Sequence, residues 1–339
     1  MKILITGVAG FIGSNLTEAL LKQGHEIIGI DNLSQGNLFN LAPFEHHTQF
    51  TFIQSDILDV KSFIQAAEGC DVIYHLAAFK IPRFGNAYDT LHINAQGTQN
   101  AIEAAVTHKA HLIFSSTSDV YGKNPNIPFS ENHDLVIGSP TVKRWAYALS
   151  KAFDEQMCFA EAERRQLEFT IVRFFGGYGP NQHLTWWGGP QSVFINNALD
   201  NIAIPVHGEG LQTRSFTYVD DHIEGLIKAM LVKESRGQVF NLGNDREMTI
   251  VDLAKMIWTM IRPGTEPKIE FIPYSTFGNY EDVMRRVPDI TKSKTILGFQ
   301  AQWQLEQGLP ITIEWQKQRR KLLQNSKMNS CLENTESLA

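Results

Sequence analysis

The sequence predicts an α/β protein: a Rossmann-type, doubly wound parallel sheet with a smaller α/β lobe toward the C-terminus. Three observations predict it. Apolar strand runs alternate with helical patterns through the first half. A glycine-rich turn, Thr6-Gly7-Val8-Ala9-Gly10-Phe11-Ile12-Gly13, follows the first of these runs. After about residue 175 the alternation gives way to glycines, prolines and aromatics.

In order along the chain, Lys2–Thr6, Glu26–Ile30, Phe50–Gln54, Val72–Leu76, Leu112–Ser115 and Phe169–Arg173 read as strands. Between them Ile12–Lys22, Val60–Ala67, Asn94–Ala105 and Trp145–Glu163 carry helical patterns. Such alternation covers a parallel sheet on both faces and leaves ligands beyond the carboxyl ends of the strands. A dinucleotide domain is expected over residues 1–175 and a substrate lobe over 176–324, with elements free to cross between them. Gly176–Pro190 and Pro263–Pro273 mark irregular passages in the second half, and no internal repeat is present. From Asn325 the chain is polar and aperiodic, which predicts a disordered tail over 325–339.

Composition narrows the function. The 339 residues are 43% apolar and 19% charged, enough for one large core or two fused ones. The net charge is −6 with no long basic block, which argues against a nucleic-acid partner. No apolar run reaches the roughly 20 residues a bilayer requires, so no membrane partner is expected. Cys70, Cys158 and Cys331 are odd in number and lack metal-ligand spacing. A reduced, cytoplasmic setting and no metal are the expectations. The N-terminus passes from one lysine straight into a strand, without the pattern of a cleaved leader.

The glycine turn follows a strand, opens an amphipathic helix, and is followed by Asp31 after the second strand. This is the context in which Gly7, Gly10 and Gly13 let backbone approach a pyrophosphate at a helix N-terminus. The bland alternative is that the glycines serve helix–strand packing alone. Asp31 is placed to accept from the adenosine ribose hydroxyls and to repel a 2′-phosphate. The neighbouring Asn32-Leu33-Ser34 holds no arginine, so NAD is favoured over NADP. Asp56-Ile57 borders an adenine in this reading; alternatively Asp56 caps the helix that begins near Val60.

Tyr147 and Lys151 lie four apart on a helix and share a face. A neighbouring ammonium favours the phenolate and moves an otherwise poor base toward its working range. Lys151 also suits the nicotinamide ribose, and Thr117 can hydrogen-bond a substrate oxygen as it becomes a carbonyl. A surface Tyr/Lys pair is the alternative for this spacing alone. The glycine turn upstream and Ser116-Thr117-Ser118 between favour redox chemistry on an alcohol.

Taken together these motifs resemble an extended short-chain dehydrogenase/reductase of the nucleoside-diphosphate-sugar epimerase, dehydratase and decarboxylase group. The resemblance covers roughly residues 1–315. It rests on Thr6–Gly13, Asp31, Asp56-Ile57, His75-Leu76-Ala77-Ala78, Ser115–Thr117, Val120-Tyr121-Gly122, Tyr147 with Lys151, Arg173–Pro180, Gly208–Asp221 and Arg285–Asp289. It implies NAD as cofactor, with Phe11 and Ile12 joining the glycines and Asn32 joining Asp31. It also implies that Leu76-Ala77-Ala78 and Asn94 line the cofactor and the sheet edge, and that Lys80 matches a cofactor-ribose lysine of galactose-type 4-epimerases. A UDP-sugar is the favoured substrate. The resemblance further implies a homodimer through the Trp145–Glu163 and Asn94–Ala105 helices, with Ala152, Phe153, Met157 and Phe159 as apolar contributors.

A nucleoside diphosphate needs local positive charge on an acidic protein. Arg214 and Arg286 are the candidates, matching the family's phosphate-binding positions. The alternative is pairing with Asp220, Asp221 or Asp289. Gly176 and Gln182 fall on the substrate side. Two departures stand out: Gly176 replaces the family's usual Asn, and Asn181 stands where Arg is common. Trp186-Trp187 suits either the face of a base or sugar, or a loop plug or dimer contact; His183 beside it reads as structural.

After oxidation at C4 of a sugar the 4-keto compound can epimerise, lose carbon dioxide or lose water. Dehydratases carry Asp-Glu after the catalytic Thr and decarboxylases tend to carry Ser-Glu; this chain has Ser118-Asp119. 4-Epimerisation of a UDP-sugar ranks first, UDP-glucuronate decarboxylation next and 4,6-dehydration third. A non-catalytic dinucleotide-sensing module is the rival of another class, and such modules commonly lose the Tyr/Lys pair.

Overall fold

The computed structural model describes residues 1–80 and 86–336, with side chains to residue 324. The expected disordered tail and Cys331 fall outside the described side chains. Strands β1 (Lys2–Thr6), β2 (Glu26–Asp31), β3 (Phe50–Gln54), β4 (Val72–His75), β5 (His111–Thr117) and β6 (Phe169–Phe174) alternate with helices. The helices are α1 (Phe11–Lys22), α2 (Val60–Ala66), α3 (Ala87–His108) and α4 (Trp145–Arg165). The second half adds β7 (Gly177–Tyr178), α5 (Pro190–Leu199), β8 (Ile204–His207), β9 (Thr213–Ser215) and β10 (Thr217–Tyr218). It continues through α6 (Val219–Leu231), β11 (Gln238–Leu242), β12 (Glu247–Thr249) and α7 (Ile250–Ile261). It ends with β13 (Ile269–Ile272), β14 (Arg285–Arg286) and α8 (Leu305–Glu336).

Seven strands form one parallel sheet in the order β11-β6-β5-β4-β1-β2-β3. The order reverses between β1 and β4, so the crevice of a doubly wound sheet opens past Thr6 and His75, which pair in register. Period-two alternation builds both faces. Ile3 and Ile5 of β1 enter one apolar core with Tyr74 and Val172, while Leu4 enters the other with Ile73, Phe114 and Phe169. β11 comes from the second half of the chain yet completes the edge beside β6. α6 is tied to the same sheet by Tyr74 Oη donating to the Leu226 carbonyl (3.1 Å).

Strand and helix ends fall within one or two residues of the sequence reading, with one exception. α3 begins at Ala87, seven residues before the expected Asn94. Its first two turns hold Tyr88, Thr90 and His92 and present no apolar stripe. The signal that starts them is Asn86, whose side chain accepts from the Asp89 N–H (2.7 Å). Nor does Asp56 cap α2. Asp59 does, accepting from the amides of Lys61 and Ser62, while Asp56 accepts from Leu58 N–H and Asn32 Nδ2.

One buried ion pair ties α4 to the sheet. Arg173 of β6 reaches Glu155 of α4 through Nε (2.9 Å) and Nη2 (2.6 Å), and Ser116 of β5 donates to the same carboxylate (2.5 Å). Removing one partner of a buried, hydrogen-bonded pair strands the other, so Glu155→Ala is expected to destabilise the fold by about 3–5 kcal/mol. Denaturant melts check this, with Glu155→Gln as the milder comparison.

Candidate functional site

Two cavities meet along the carboxyl edge of the sheet. One, of about 570 Å³, is bordered by the glycine turn, Asp31, Asn32 and Ile57. The other, of about 540 Å³, holds Thr117, Ser118, Asp119, Tyr147, Arg214 and Arg286. Gly7, Gly10, Phe11, Leu76, Ala78, Lys80 and Gln182 border both, so the two form one trench.

The glycine turn shapes the first cavity by close approach. Gly7 has φ +72°, and a Cβ on Gly13 would sit 2.2 Å from the Gly7 carbonyl oxygen. Gly10 opens α1 without any side-chain cap, leaving the first-turn amides for an anion. Asp31 is anchored, accepting from the Ala9 amide (3.0 Å) and the Leu33 amide (2.8 Å). Its carboxyl is raised by burial, against the lowering effect of those two amides. Asp56, accepting from Asn32 and Leu58, borders neither cavity. Asn94 is also buried: its Oδ1 accepts from the Phe79 amide (2.8 Å) and its Nδ2 donates to Phe79 O and Ser150 Oγ. It clamps the 77–80 segment, bordered by Ala77 and Ala78, onto α4.

Three residues of this cavity carried no sequence signal. Trp315, Arg319 and Leu323 of α8 line it, and Arg319 packs its guanidinium over the Phe39 ring at 4.2 Å. Only the tertiary fold brings a helix from the far end of the chain to the cofactor edge.

The catalytic candidates converge on the second cavity. Thr117 ends β5 and caps a tight turn over Ser118–Tyr121, its Oγ1 accepting from the Asp119 amide (3.2 Å). Its hydroxyl proton is thereby left to donate into the cavity. Tyr147 borders the cavity, and Lys151, one turn further, is 1% exposed beneath it. The titration of Tyr147 departs from expectation. Burial raises its hydroxyl, Asp119 and Asp154 raise it further, and Arg286 opposes them. The Lys151 ammonium instead lies 4.5 Å from the Phe114 ring centroid and is most strongly coupled to Asp154.

Arg214 and Arg286 are brought side by side because β9 and β14 pair in parallel with these two residues in register. Their carboxylate partners are not Asp220, Asp221 or Asp289. Arg286 pairs with Asp119, which Arg144 also reaches at 3.3 Å. Arg214 Nη2 and Arg144 Nη1 both donate to Asp282, at 2.9 and 2.7 Å, and Tyr274 donates to its other oxygen. Asp282 sits in an aperiodic loop, so neither periodicity nor motif spacing could have announced it. Asp221 instead accepts from the amides of Gln302 and Trp303. Burial alone would raise Asp119, but Arg286, Arg144 and Arg214 outweigh it and hold the carboxyl below its usual range. Arg214 is pushed down to about 10 by burial, Asp282 opposing. Arg285 faces outward and pairs with Glu247.

Both departures have structural reasons. A Cβ on Gly176 would lie 2.3 Å from the Ser215 carbonyl, so no asparagine fits there. Asn181 has φ +67° and donates to Ser14 Oγ on α1 (3.1 Å), on the cofactor side of the trench. Its lack of charge therefore says nothing about the sugar end. Trp186 and Trp187 border the substrate cavity, Trp186 stacked on His207 (4.6 Å) and Trp187 edge-on to Phe79 (5.7 Å). His183 Nδ1 is engaged by Thr185.

The family profile described as NAD dependent epimerase/dehydratase family matches residues 3–243. The chain belongs to that family. Among relatives of this epimerase/dehydratase chain, a UDP-N-acetyl-alpha-D-glucosaminuronate decarboxylase of Bacillus cytotoxicus is 36% identical over 322 residues, covering 93% of this chain and 97% of that one. A UDP-glucuronic acid decarboxylase 1 of Danio rerio is 35% identical over 316 residues, covering 93% and 72%. A solved UDP-glucuronic acid 4-epimerase from Bacillus cereus, in complex with UDP-glucuronic acid and NAD, superposes with a TM-score of 0.83 at 30% identity, covering 94% and 99%.

NAD is the cofactor of the family, and the trench fits it. The turn admits no side chain at Gly13, the α1 amides are uncapped, and the buried Lys151 Nζ has no hydrogen-bond partner. Asp31 borders the cavity and its carboxylate would repel a 2′-phosphate there, so NAD is expected to bind much more tightly than NADP. Parallel calorimetric titrations check this, and equal affinities would remove Asp31 from the assignment.

Proposed function

We propose that this protein modifies a UDP-linked sugar with NAD, and that its reaction is decarboxylation of a UDP-hexuronic acid. One observation carries the choice. Asp119, beside Tyr147, is ion-paired with both Arg144 and Arg286 and so presents no free negative charge to an incoming carboxylate. Among the described residues, Arg144, Arg214 and Arg286 share Asp119 and Asp282 as their ion-pair partners, so three guanidiniums meet two carboxylates at the sugar end. The decarboxylase relatives support the same reading.

When bound, NAD supplies the hydride acceptor that makes a ketone at C4 and returns the hydride to it at the end. The chain's residues do the rest. Tyr147 takes the proton of the C4 hydroxyl, and Thr117 donates to that oxygen as it becomes a carbonyl. Arg286 opposes the rise that burial imposes on the Tyr147 hydroxyl, and the Lys151 ammonium, buried one turn further along α4, adds positive charge on the same face. The arginines orient the C6 carboxylate. The C5–C6 bond then breaks, its electron pair enters the C4–C5 enolate held by Tyr147 and Thr117, carbon dioxide leaves, and C5 takes a proton. Dehydration is disfavoured because Ser118 does not supply the carboxyl that dehydratases carry there.

The second reading is 4-epimerisation, ranked first by the sequence alone. The Bacillus cereus structure favours it on the same acid rather than on a neutral hexose. Family pairing through α3 and α4 completes the proposal. Leu149 (50% exposed) and Phe153 (51%) of α4 present apolar surface, whereas Ala152 and Met157 pack inward. The cytoplasm suits the free, buried Cys70 and Cys158. Among the described residues no helix is long and apolar enough to cross a membrane.

Incubation with NAD and UDP-glucuronate is expected to release carbon dioxide and leave a UDP-pentose; UDP-galacturonate with no gas would make the enzyme the 4-epimerase. Tyr147→Phe is expected to lower turnover by about 10²–10⁴-fold with folding intact. Survival of activity within a factor of a few would assign the proton to another group. For assembly, light scattering at micromolar concentration is expected to show a dimer, and a monomer rejects the α3–α4 interface.

A further inference from the structure

Asp154 is a buried carboxylate of α4 that the mechanism leaves unused and that, unlike Glu155 and Glu161, pairs with no arginine among the described residues. It is 0% exposed and has no close ion pair, and among the described residues Lys151 and the Thr98 hydroxyl are the groups that favour its charged form. The next residue, Glu155, shows what a structural carboxylate looks like here, with Arg173 and Ser116 on its oxygens. Leaving a carboxylate buried without such bonds is costly, and an apolar side chain of similar size would pack at no such cost.

What lies around it is functional. Lys151 is three residues earlier on the same helix, so the two share a face. Its Nζ is also buried, with no hydrogen-bond partner. Lys151 and Asp154 are each other's largest charge interaction. Around this pair, Tyr147, Glu155 and Cys158 come from α4, Thr98 from α3 and His75 from β4. Arg173 of β6 is held by Glu155. His75 is neutral, driven down to about 3 by burial first and Lys151 second. Among the described residues, Lys151 is the cation that acts on Asp154.

We propose that Asp154 is a positioning residue for the reaction: it keeps the buried Lys151 side chain an ammonium and holds it under Tyr147. The inference rests on the proposed role of Lys151. Burial works against that ammonium, and Asp154 is the largest opposing influence. Burial also pushes the Asp154 carboxyl up to about 6, with Lys151 opposing. The support therefore switches on as pH rises past about 6.

The test compares holoenzyme kcat/KM across pH for the wild type and Asp154→Asn, which keeps shape and hydrogen-bonding capacity. Removing the charge is expected to move the basic limb, where Lys151 loses its proton, to lower pH by about one unit, a roughly tenfold loss on that limb, while the acidic limb, set by the Tyr147 hydroxyl that Asp154 raises, also moves down. The difference is expected to vanish below pH 6, where wild-type Asp154 is itself protonated. Superimposable profiles, or an equal loss at every pH, would overturn the proposal. A carboxyl NMR titration of the resting protein needs no variant at position 154. It is expected to show one Asp with a midpoint near 6 that moves higher in Lys151→Met; a midpoint indifferent to Lys151 overturns the coupling. If Lys151→Met retains full turnover, the role given to Lys151 fails instead, and the NMR result still reports the pair.

Discussion

The reversal of strand order between β1 and β4 is the constraint from which the rest of the site follows. Helices on either side of that point cannot cover the crevice past Thr6 and His75, so a trench must open there. Thr6 closes its floor, its Oγ1 receiving the amides of Leu76 and Ala77 and meeting His75 Nδ1. This hydroxyl extends the β1–β4 pairing that joins the two halves of the sheet, at the place where backbone must come closest to a ligand. The glycine turn and the β5 turn at Thr117 then face each other across a fixed gap.

Buried charge is distributed unevenly around that trench. Arg173 and Glu155 satisfy each other and hold α4 against the sheet. Arg144, Arg214, Arg286, Asp119 and Asp282 form a larger network at the sugar end, bound together by the short β9–β14 pairing. Its three guanidiniums share two carboxylates as ion-pair partners, which makes the region receptive to an anion without exposing a lone guanidinium. Lys151 and Asp154 have opposite charge but no close ion pair, so burial moves each toward its neutral form.

The sheet was legible because its signal is local: period-two runs such as Ile3-Leu4-Ile5 name both faces, and the glycine turn names the helix that follows. NAD was legible for the same reason, since the turn, α1 and Asp31 lie within one βαβ unit. The start of α3 was missed because a cap, Asn86, replaced the expected apolar stripe. The partners of Arg214 and Arg286 were missed because Asp282 and Asp119 approach them from different parts of the chain. The expected activation of Tyr147 by Lys151 followed from helix spacing, which gives a shared face but not the dielectric. In the fold, burial and the Asp119 and Asp154 charges act in the opposite direction. α8 reaches the cofactor edge through packing alone, and nothing around Arg319 marks it.

β11 carries a consequence for how the protein is made. Its five residues pair along β6, and α6 just before it covers part of the same sheet. A ribosome that has finished β6 has released most of the nucleotide-binding sheet, but with an open, parallel-strand edge and an uncovered apolar face. At roughly 5–20 residues per second, the nascent chain stays in that state for several seconds before β11 emerges. During that interval it is a substrate for chaperones and a hazard to its neighbours on the polysome. The stretch between β6 and β11 therefore sets how long that edge and face stay open during synthesis, apart from what it builds in the finished fold.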